Sequence, residues 1–474
     1  MIPTLKLYIS LNTTLLSQET HILEKIMNST FKITNVNICT PHQIIYNGIL
    51  IVKDGRILSA GSKDILSQNP EFSEIPEFHP STQDISNCYV LPGFIDIHCH
   101  GASLFDFTSG MFDINKQSFC SKEKSWTIGL PGYARWKLHE GVTSFYMATL
   151  AAPIRLLRKC LQYLARYMQG ETNGKEGAFV RGGFLEGCFF NPRMSGAQNT
   201  RYILKPEKEI FDEINESGAI RLVNVVPDYG EPSFKLIREL TSCGITVGAG
   251  HTDATADQFR EAVKCGLKYV IHFTNGPTGG SYKPFNGGGV IEAALQTDEV
   301  YVEQICDMYH VNPAYIRDII MRKGVDKVIA ITDQTFVTGT NIRKFTLGGI
   351  NGEVSSDGAY IGVVGKPNTL FGSCLTMDKA FSNLLSLLTR DMQGVWYRQH
   401  TAMPFDSAML AATGMCSTNP AKMLGLLDDL NEGTGAIQSG KWADLLIAKI
   451  EGSPGSYRLK ILDVFVRGNH LLSL

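Results

Sequence analysis

The sequence lacks several features that would place the protein in a specialised class. It has no run of about 18 consecutive apolar residues, the length that a membrane-spanning helix requires. It has no long block of basic residues, and its formal net charge is only −2 with a pI near 6.6. The charge pattern therefore gives no indication of a nucleic-acid partner or of a membrane-surface partner.

The sequence also lacks paired cysteines. Its 11 cysteines are an odd number, they are scattered along the chain, and no two of them form a C-x-x-C pair. This distribution argues against a disulfide framework and against a zinc ribbon. We expect reduced, mostly buried thiols and a cytoplasmic protein.

The chain of 474 residues suggests one large domain of barrel size and a smaller one, or two to three small domains. Residues 1–31 lack the continuous apolar core of a signal peptide, and we expect a loosely held N-terminal extension there. Residues 32–90 and 435–474 contain short strand-like runs and turn signals, so we expect them to pair into one discontinuous β-sandwich domain. The remaining residues, 91–434, form the larger domain.

Residues 91–434 alternate between apolar runs of strand length and stretches with helical periodicity, such as PIRLLRKCLQYLARYM. The strand-like runs are 91–98, 141–150, 181–187, 220–228, 245–251, 269–275, 300–310 and 328–333. This alternation predicts the α/β class and a (β/α)8 TIM-like barrel.

Polar side chains stand at or just after the carboxyl ends of these runs, where barrel enzymes assemble their active sites. They are His98, His100, Glu186, Asp228, His251, His272, His310 and Asp333.

The stretch LPGFIDIHCHG carries two of these residues. In an extended strand His98 and His100 share a face, so both imidazoles can reach one ion. A histidine pair at an ordinary strand end is the alternative, and for this motif alone the two interpretations are about equally good.

Three further residues, Glu186, His251 and His272, supply enough nitrogen and oxygen ligands for a catalytic metal ion. His98 and His100 could then hold a second ion, and Asp333 could accept a proton from the attacking water. Each residue alone has a structural interpretation, such as a paired glutamate or a helix N-cap. Their common position at strand ends favours a shared site.

The motifs resemble the amidohydrolase superfamily and, more closely, the N-acetylglucosamine-6-phosphate deacetylase family. LEGCFFNPRMSGAQ, GHTDAT, HFTNGP, CDMYHV, ITDQTFVTG and LFGSCLTM are similar to that family's motifs, and they occur in the family's order. The tail TNPAKMLGL…GTGAIQSGKWADLLI is also similar. The resemblance runs from about residue 32 to the C-terminus and is specific as a set.

The resemblance implies a barrel with a small β-sandwich domain in a homodimer, and it assigns roles to residues. The metal ligands would be Glu186, His251 and His272, with His98, His100 and Asp333 serving a second ion. Asp333 would be the general acid and base. Substrate would be bound by Gln198, Asn275, Gly276, Lys283 and His310. The ions would be one or two divalent metals per subunit, Zn, Fe, Mn or Co.

The sequence departs from the family at several positions. A family histidine that polarises the acetyl carbonyl corresponds to Gln198, which can donate a hydrogen bond but carries no charge. The family's phosphate-binding arginine falls on Lys283, which lacks the bidentate fork of arginine. Segments 120–135 and 389–405 have no obvious family counterpart.

These features predict hydrolysis of the acetamide of N-acetylglucosamine 6-phosphate to glucosamine 6-phosphate and acetate. The partner would be this small amino-sugar phosphate, without nucleic acid or membrane. One alternative is a deacetylase acting on a different N-acetyl sugar or on an unphosphorylated amide. Another is a non-catalytic barrel that serves as a binding or scaffold protein.

Overall fold

A computed structural model describes residues 29–85, 87–275 and 288–474 of the chain. Most of the predicted N-terminal extension, 1–31, lies outside these residues. Among the helices of the described part, none combines the length and the apolar character needed to cross a membrane.

An eight-stranded parallel sheet forms the larger part of the structure, and its strands are hydrogen-bonded in their order along the chain. We call them the first to the eighth barrel strand. They are Phe94–Cys99, Val142–Ala148, Phe179–Leu185, Ile220–Asn224, Thr246–Ala249, Tyr269–Val270, Tyr301–Ile305 and Val328–Ile331. Each overlaps one of the eight predicted runs, so the predicted (β/α)8 barrel is confirmed.

Helices connect and follow the barrel strands and bury their apolar faces against the sheet. The α-helices of the described residues are Lys63–Leu66, Glu123–His139, Ile154–Gln169, Lys208–Ile214, Glu231–Ser242, Ala256–Lys264, Val290–Gln296, Pro313–Lys323, Met377–Leu388, Phe405–Thr413 and Asn419–Met423. The segment 120–135, which has no obvious family counterpart, forms most of the helix that leads into the second barrel strand.

The two ends of the described chain build a separate β-rich unit, as predicted. Its seven strands form one continuous sheet. The strands are Phe31–Cys39, Ile44–Lys53, Arg56–Ser62, Cys88–Pro92, Leu445–Ser453, Ser456–Val466 and Asn469–Ser473. Residues from both ends, among them Ile33, Leu50 and Leu445, share a hydrophobic core apart from the barrel core. The boundaries 32–90, 435–474 and 91–434 stay a prediction.

Two small antiparallel sheets lie beyond the carboxyl ends of the first and eighth barrel strands. One comprises Gly101–Ala102, Phe105–Asp106, Gly110–Asp113 and Ser118–Cys120, and the other Lys344–Leu347, Ile350–Val354 and Ile361–Val363. Phe112 of one sheet and Phe345 of the other belong to one hydrophobic cluster. The two sheets therefore support each other at the end of the barrel where the polar residues stand.

Backbone hydrogen bonds join the first barrel strand to the chain that follows the eighth. The Asp333 amide donates to the carbonyl of His98 at 2.9 Å, and the His100 amide donates to the carbonyl of Gln334 at 2.9 Å. The two predicted metal-binding histidines and the predicted general base are thus held side by side.

A buried ionic network reinforces this junction from below. The Lys137 ammonium, which is 0% exposed, lies 2.9 Å from Asp96 Oδ2 and 2.8 Å from Glu140 Oε2. The Thr332 hydroxyl donates to Asp96 Oδ2 at 2.6 Å, and the Gln334 amide donates to Glu140 Oε1 at 2.6 Å. Although burial opposes protonation, these two carboxylates raise the pKa of Lys137. The lysine therefore neutralises the two carboxylates that accept hydrogen bonds from Thr332 and Gln334 at the junction.

Lys137→Met should destabilise the protein strongly, because it leaves the Asp96 and Glu140 carboxylates buried without their cation. Breaking a buried ion pair in this way costs about 3–5 kcal/mol. A clear fall in the midpoint of thermal unfolding is expected. Lys264→Met is the matched control, since Lys264 pairs with Glu261 on an exposed helix face and should change the midpoint little. Equal midpoints for the two variants would contradict the role of the network.

Candidate active site

Six of the predicted site residues lie at the carboxyl ends of the barrel strands and are buried. His98 lies near the end of the first barrel strand and His100 just beyond it. Glu186 follows the third strand directly, while His251, His272 and Asp333 each follow a strand by two residues. The barrel therefore brings residues from five strands to one point, as the sequence pattern predicts.

The backbone at this point is strained. His251, His272 and Asp333 have φ values of 54°, 29° and 50°, in the left-handed region that side-chain-bearing residues rarely adopt. Each such conformation costs on the order of 1–3 kcal/mol and persists only where the surrounding structure enforces it. The strain turns three side chains out of their strands and into the site.

The Glu186 carboxylate lies at the centre of the cluster. Its Oε1 is 3.1 Å from His272 Nε2 and 3.4 Å from His251 Nε2, and its Oε2 is 3.5 Å from His100 Nε2. His98 Nε2 lies 3.6 Å from Oε1. One carboxylate therefore faces histidines on two sides.

Asp333 completes the side of the cluster that His98 and His100 occupy. Its Oδ1 lies 3.1 Å from His100 Nε2 and 3.6 Å from His98 Nε2. Burial opposes ionisation of the Asp333 carboxyl, but the two histidines lower its pKa below the ordinary value. The group is therefore held as a carboxylate, the form that can accept a proton.

Three of the imidazoles are oriented by hydrogen bonds from their other ring nitrogen. His251 Nδ1 lies 2.8 Å from the carbonyl of Met194, and His100 Nδ1 lies 3.2 Å from the carbonyl of Ala148. His98 Nδ1 lies 3.0 Å from Glu303 Oε2. Because a carbonyl only accepts, Nδ1 of His100 and of His251 carries the proton, and Nε2 of the neutral ring is left with a lone pair.

Glu303 is a site residue that the sequence reasoning missed. It is 0% exposed on the seventh barrel strand, and its Oε2 also accepts the backbone amide of His272 at 3.0 Å. One carboxylate thus orients a histidine from each side of the cluster. The signal in the sequence was a single charged residue inside the apolar run VYVEQIC.

The cluster fits a divalent metal. Two groups of three residues, His98/His100/Glu186 and Glu186/His251/His272, have ligand atoms within 4.8 Å of one another. His98 Nε2, which faces the Glu186 and Asp333 carboxylates, is buried without a hydrogen-bond partner. Although burial opposes protonation of His98, the carboxylates of Glu303, Glu186 and Asp333 raise its pKa to about 10. The site therefore requires positive charge at its centre, and its N/O ligands suit Zn, Fe, Mn or Co.

Gln198 contacts the predicted ligand Glu186. Its Nε2 donates to Glu186 Oε2 at 2.9 Å, and its Oε1 accepts the Ala151 amide at 2.8 Å. A Cβ at Gly187 would lie 2.2 Å from the nitrogen of Ala151, so only glycine permits this close approach. Gln198 therefore fixes the Glu186 carboxylate, and its predicted contact with substrate stays a prediction.

A cavity of ≈ 340 Å³ opens above the cluster. Its lining includes Asn275 and His310, and the Nδ1 of His310 lies 2.6 Å from Asp307 Oδ2. Gly276 and Lys283 lie outside the described residues. Asp228, another polar residue at a strand end, does not join the cluster and instead accepts hydrogen bonds from Asn191 and from the Asp253 amide.

Known proteins are similar to this chain along most of its length. No family model matches the chain. The chain is 28% identical to the N-acetylglucosamine-6-phosphate deacetylase of Bacillus subtilis over 428 residues, which are 89% of this chain and 93% of that protein. It is also 28% identical to an N-acetylgalactosamine-6-phosphate deacetylase of Escherichia coli O157:H7 over 357 residues, 75% of this chain and 82% of that protein.

A solved structure shows the same fold. It is a Mycobacterium smegmatis N-acetyl-D-glucosamine-6-phosphate deacetylase variant in complex with N-acetyl-D-glucosamine-6-phosphate. The TM-score is 0.71 at 22% identity, and the match covers 94% of this chain and 100% of that one. From the relatives along most of its length and the shared barrel, the predicted resemblance of the chain to the N-acetylglucosamine-6-phosphate deacetylase family is confirmed.

Proposed function

We propose that the protein hydrolyses the acetamide of N-acetylglucosamine 6-phosphate, giving glucosamine 6-phosphate and acetate in amino-sugar catabolism. The observation that carries the proposal is the buried Glu186 carboxylate, which faces histidines on two sides beside the Asp333 carboxylate. The names of the relatives supply the substrate, and the cavity above the cluster offers the room for it.

The proposed ligands of one divalent ion are Glu186, His251 and His272. The proposed ligands of a second ion are His98 and His100, with Glu186 shared and Asp333 adjacent. A divalent ion in this setting polarises a carbonyl oxygen and lowers the pKa of a water molecule.

Asp333 is proposed as the group that moves the proton. Its carboxylate accepts a proton as a water molecule attacks the acetamide carbonyl, and then donates that proton to the amine nitrogen as the C–N bond breaks. The products are acetate and the free amino sugar phosphate. The lowered pKa of Asp333 supports this role, because the group begins the reaction ionised.

The remaining residues are proposed to position the substrate. Gln198 keeps the Glu186 carboxylate in place and retains a second amide hydrogen, which can reach the acetyl oxygen. Asn275 and His310 line the cavity and would hold the sugar. Gly276 and Lys283 are proposed to contact the sugar phosphate, as the family resemblance implies.

We also propose that the protein works in the cytoplasm as a homodimer. The cytoplasmic location is supported by the cysteines, because all 11 are free thiols and a reducing compartment keeps thiols free. The homodimer is supported by the family resemblance alone.

Asp333→Asn should lower kcat by about 10²–10⁴-fold, the usual contribution of general acid–base catalysis. Asparagine keeps the shape of the side chain but cannot accept the proton. The measurement is steady-state deacetylation together with metal content, which should stay near the wild-type value. Asp357→Asn, on an exposed turn, should leave both unchanged. Full activity of Asp333→Asn would contradict the proposed role.

Glu303→Gln should weaken metal binding by about 10–100-fold, the usual effect of removing a group that orients a ligand. The substitution preserves size but removes the charge beside His98 Nδ1. Metal retained after dialysis against a graded chelator series measures the effect. Glu353→Gln on the exposed three-stranded sheet is the control and should bind metal like the wild type. Unchanged affinity in Glu303→Gln would show that the carboxylate does not orient the ligands.

The phosphorylated amino sugar should be strongly preferred over N-acetylglucosamine itself, because a phosphate contributes charge-assisted contacts that a hydroxyl cannot make. Side-by-side measurement of kcat/KM on N-acetylglucosamine 6-phosphate, N-acetylgalactosamine 6-phosphate and N-acetylglucosamine gives the comparison. A preference for the galactosamine compound would favour the alternative function, deacetylation of a different N-acetyl sugar. One relative is an N-acetylgalactosamine-6-phosphate deacetylase. Equal rates with and without phosphate would contradict the proposed substrate class.

A further inference from the structure

A second cavity adjoins the one above the metal cluster. Its volume is ≈ 670 Å³, and five residues line both cavities: Asn275, His310, Asn368, Thr369 and Leu370. The two spaces therefore meet along a common wall. A ligand whose amide reaches the cluster can extend across this wall into the outer cavity.

Two tyrosines and a lysine line the outer cavity. The Tyr309 and Tyr360 rings lie 5.3 Å apart, and these side chains are 51% and 37% exposed. Lys366 follows the last strand of the small sheet Lys344–Leu347, Ile350–Val354 and Ile361–Val363. The tyrosine hydroxyls and the lysine ammonium are hydrogen-bond donors, and the ammonium carries the positive charge that favours an anion.

The charge around the two cavities is uneven. The carboxylates of Glu186 and Asp333 line the inner cavity. Among the described residues that line either cavity, the permanently charged basic side chains are those of Arg193 and Lys366. Arg193 forms an ion pair with Asp253 at 2.8 Å. A phosphorylated substrate carries about two negative charges near neutral pH, so it needs a cation away from the carboxylates.

Lys366 is placed to supply this cation. Its Nζ donates to the carbonyl of Gly196 at 3.2 Å, which connects the 361–370 segment to the loop that carries Gln198. An ammonium has three donors, so this single neutral contact leaves others for a ligand. No carboxylate of the described residues is paired with Lys366.

We propose that Lys366 supplies, from the outer cavity, a further cation that recognises the phosphate monoester of the substrate, in addition to the contacts proposed for Gly276 and Lys283. The inference rests on the proposed function and deepens it, because it assigns phosphate recognition to a residue outside the family motifs. The acetamide lies at the metal cluster, the sugar lies against Asn275 and His310, and the phosphate contacts the Lys366 ammonium.

Calorimetric titration of the metal-loaded enzyme with glucosamine 6-phosphate and with glucosamine tests the proposal. Lys366→Met should weaken binding of the phosphorylated compound by about tenfold to a hundredfold, the effect of losing a hydrogen bond to a charged group. Binding of glucosamine should not change. KM for the phosphorylated substrate should rise while kcat stays near wild type, and Lys366→Arg should restore most of the affinity.

Lys344→Met is the matched control. Lys344 lies on the same small sheet, pairs with Glu353 at 3.3 Å and does not line either cavity, so its loss should leave binding unchanged. Lys283→Met is the comparison variant, because the family resemblance assigns Lys283 to the same phosphate.

Unchanged binding of glucosamine 6-phosphate by Lys366→Met would overturn the inference, most directly if Lys283→Met alone lost the phosphate preference. An equal loss for both sugars with loss of metal would also overturn it. Absence of deacetylase activity on every N-acetyl sugar would refute the proposed function instead, and the binding measurement would still decide the role of Lys366.

Discussion

Hydrogen-bond acceptors face one another at the centre of the barrel mouth. The Glu186 carboxylate, only 2% exposed, lies within 3.6 Å of the Nε2 atoms of four histidines. At least two of those rings carry their proton on the far nitrogen, so lone pairs meet carboxylate oxygens at a buried position. Such an arrangement is stable only when a proton or a metal ion lies between the acceptors. The requirement for positive charge at Glu186 therefore explains the ligand set, the raised pKa of His98 and the lowered pKa of Glu186.

The remainder of the structure holds these acceptors together. The bonds between the first barrel strand and the Asp333 segment keep His98 and His100 beside the proposed base. The Lys137 ammonium neutralises Asp96 and Glu140 beneath that junction, and Glu303 connects His98 to the backbone of His272. The left-handed backbone at His251, His272 and Asp333 is the conformational cost of aiming these side chains at one point. The site depends on this framework, since a small displacement of any strand end would separate the ligands.

Much of this arrangement could be predicted from the sequence, because local patterns determine it. Apolar runs of strand length alternate with helical stretches, and this pattern identified all eight barrel strands and the residues at their ends. Glu303 was missed because a buried charge within a strand is recognised by its partners, and these lie 205 residues (His98) and 31 residues (His272) away in the chain. Lys137 was missed for the same reason, and the proposed role of Lys366 depends on a cavity that forms only in the folded chain. Lys137 lies on a helix whose sequence does not show that its ammonium is buried, and Lys366 lies in a loop beside the cavity. Long-range contacts of this kind appear only when the barrel closes.

The most direct test of the central claim is the position of the metal. Anomalous X-ray scattering from crystals of the purified enzyme, recorded at the absorption edge of the metal that the protein carries, locates each ion. The account predicts an ion bonded to a Glu186 oxygen, with His251 and His272 completing one site and His98 and His100 flanking the other. An active deacetylase whose metal lies elsewhere, or whose Glu186 cluster holds no ion, would contradict it.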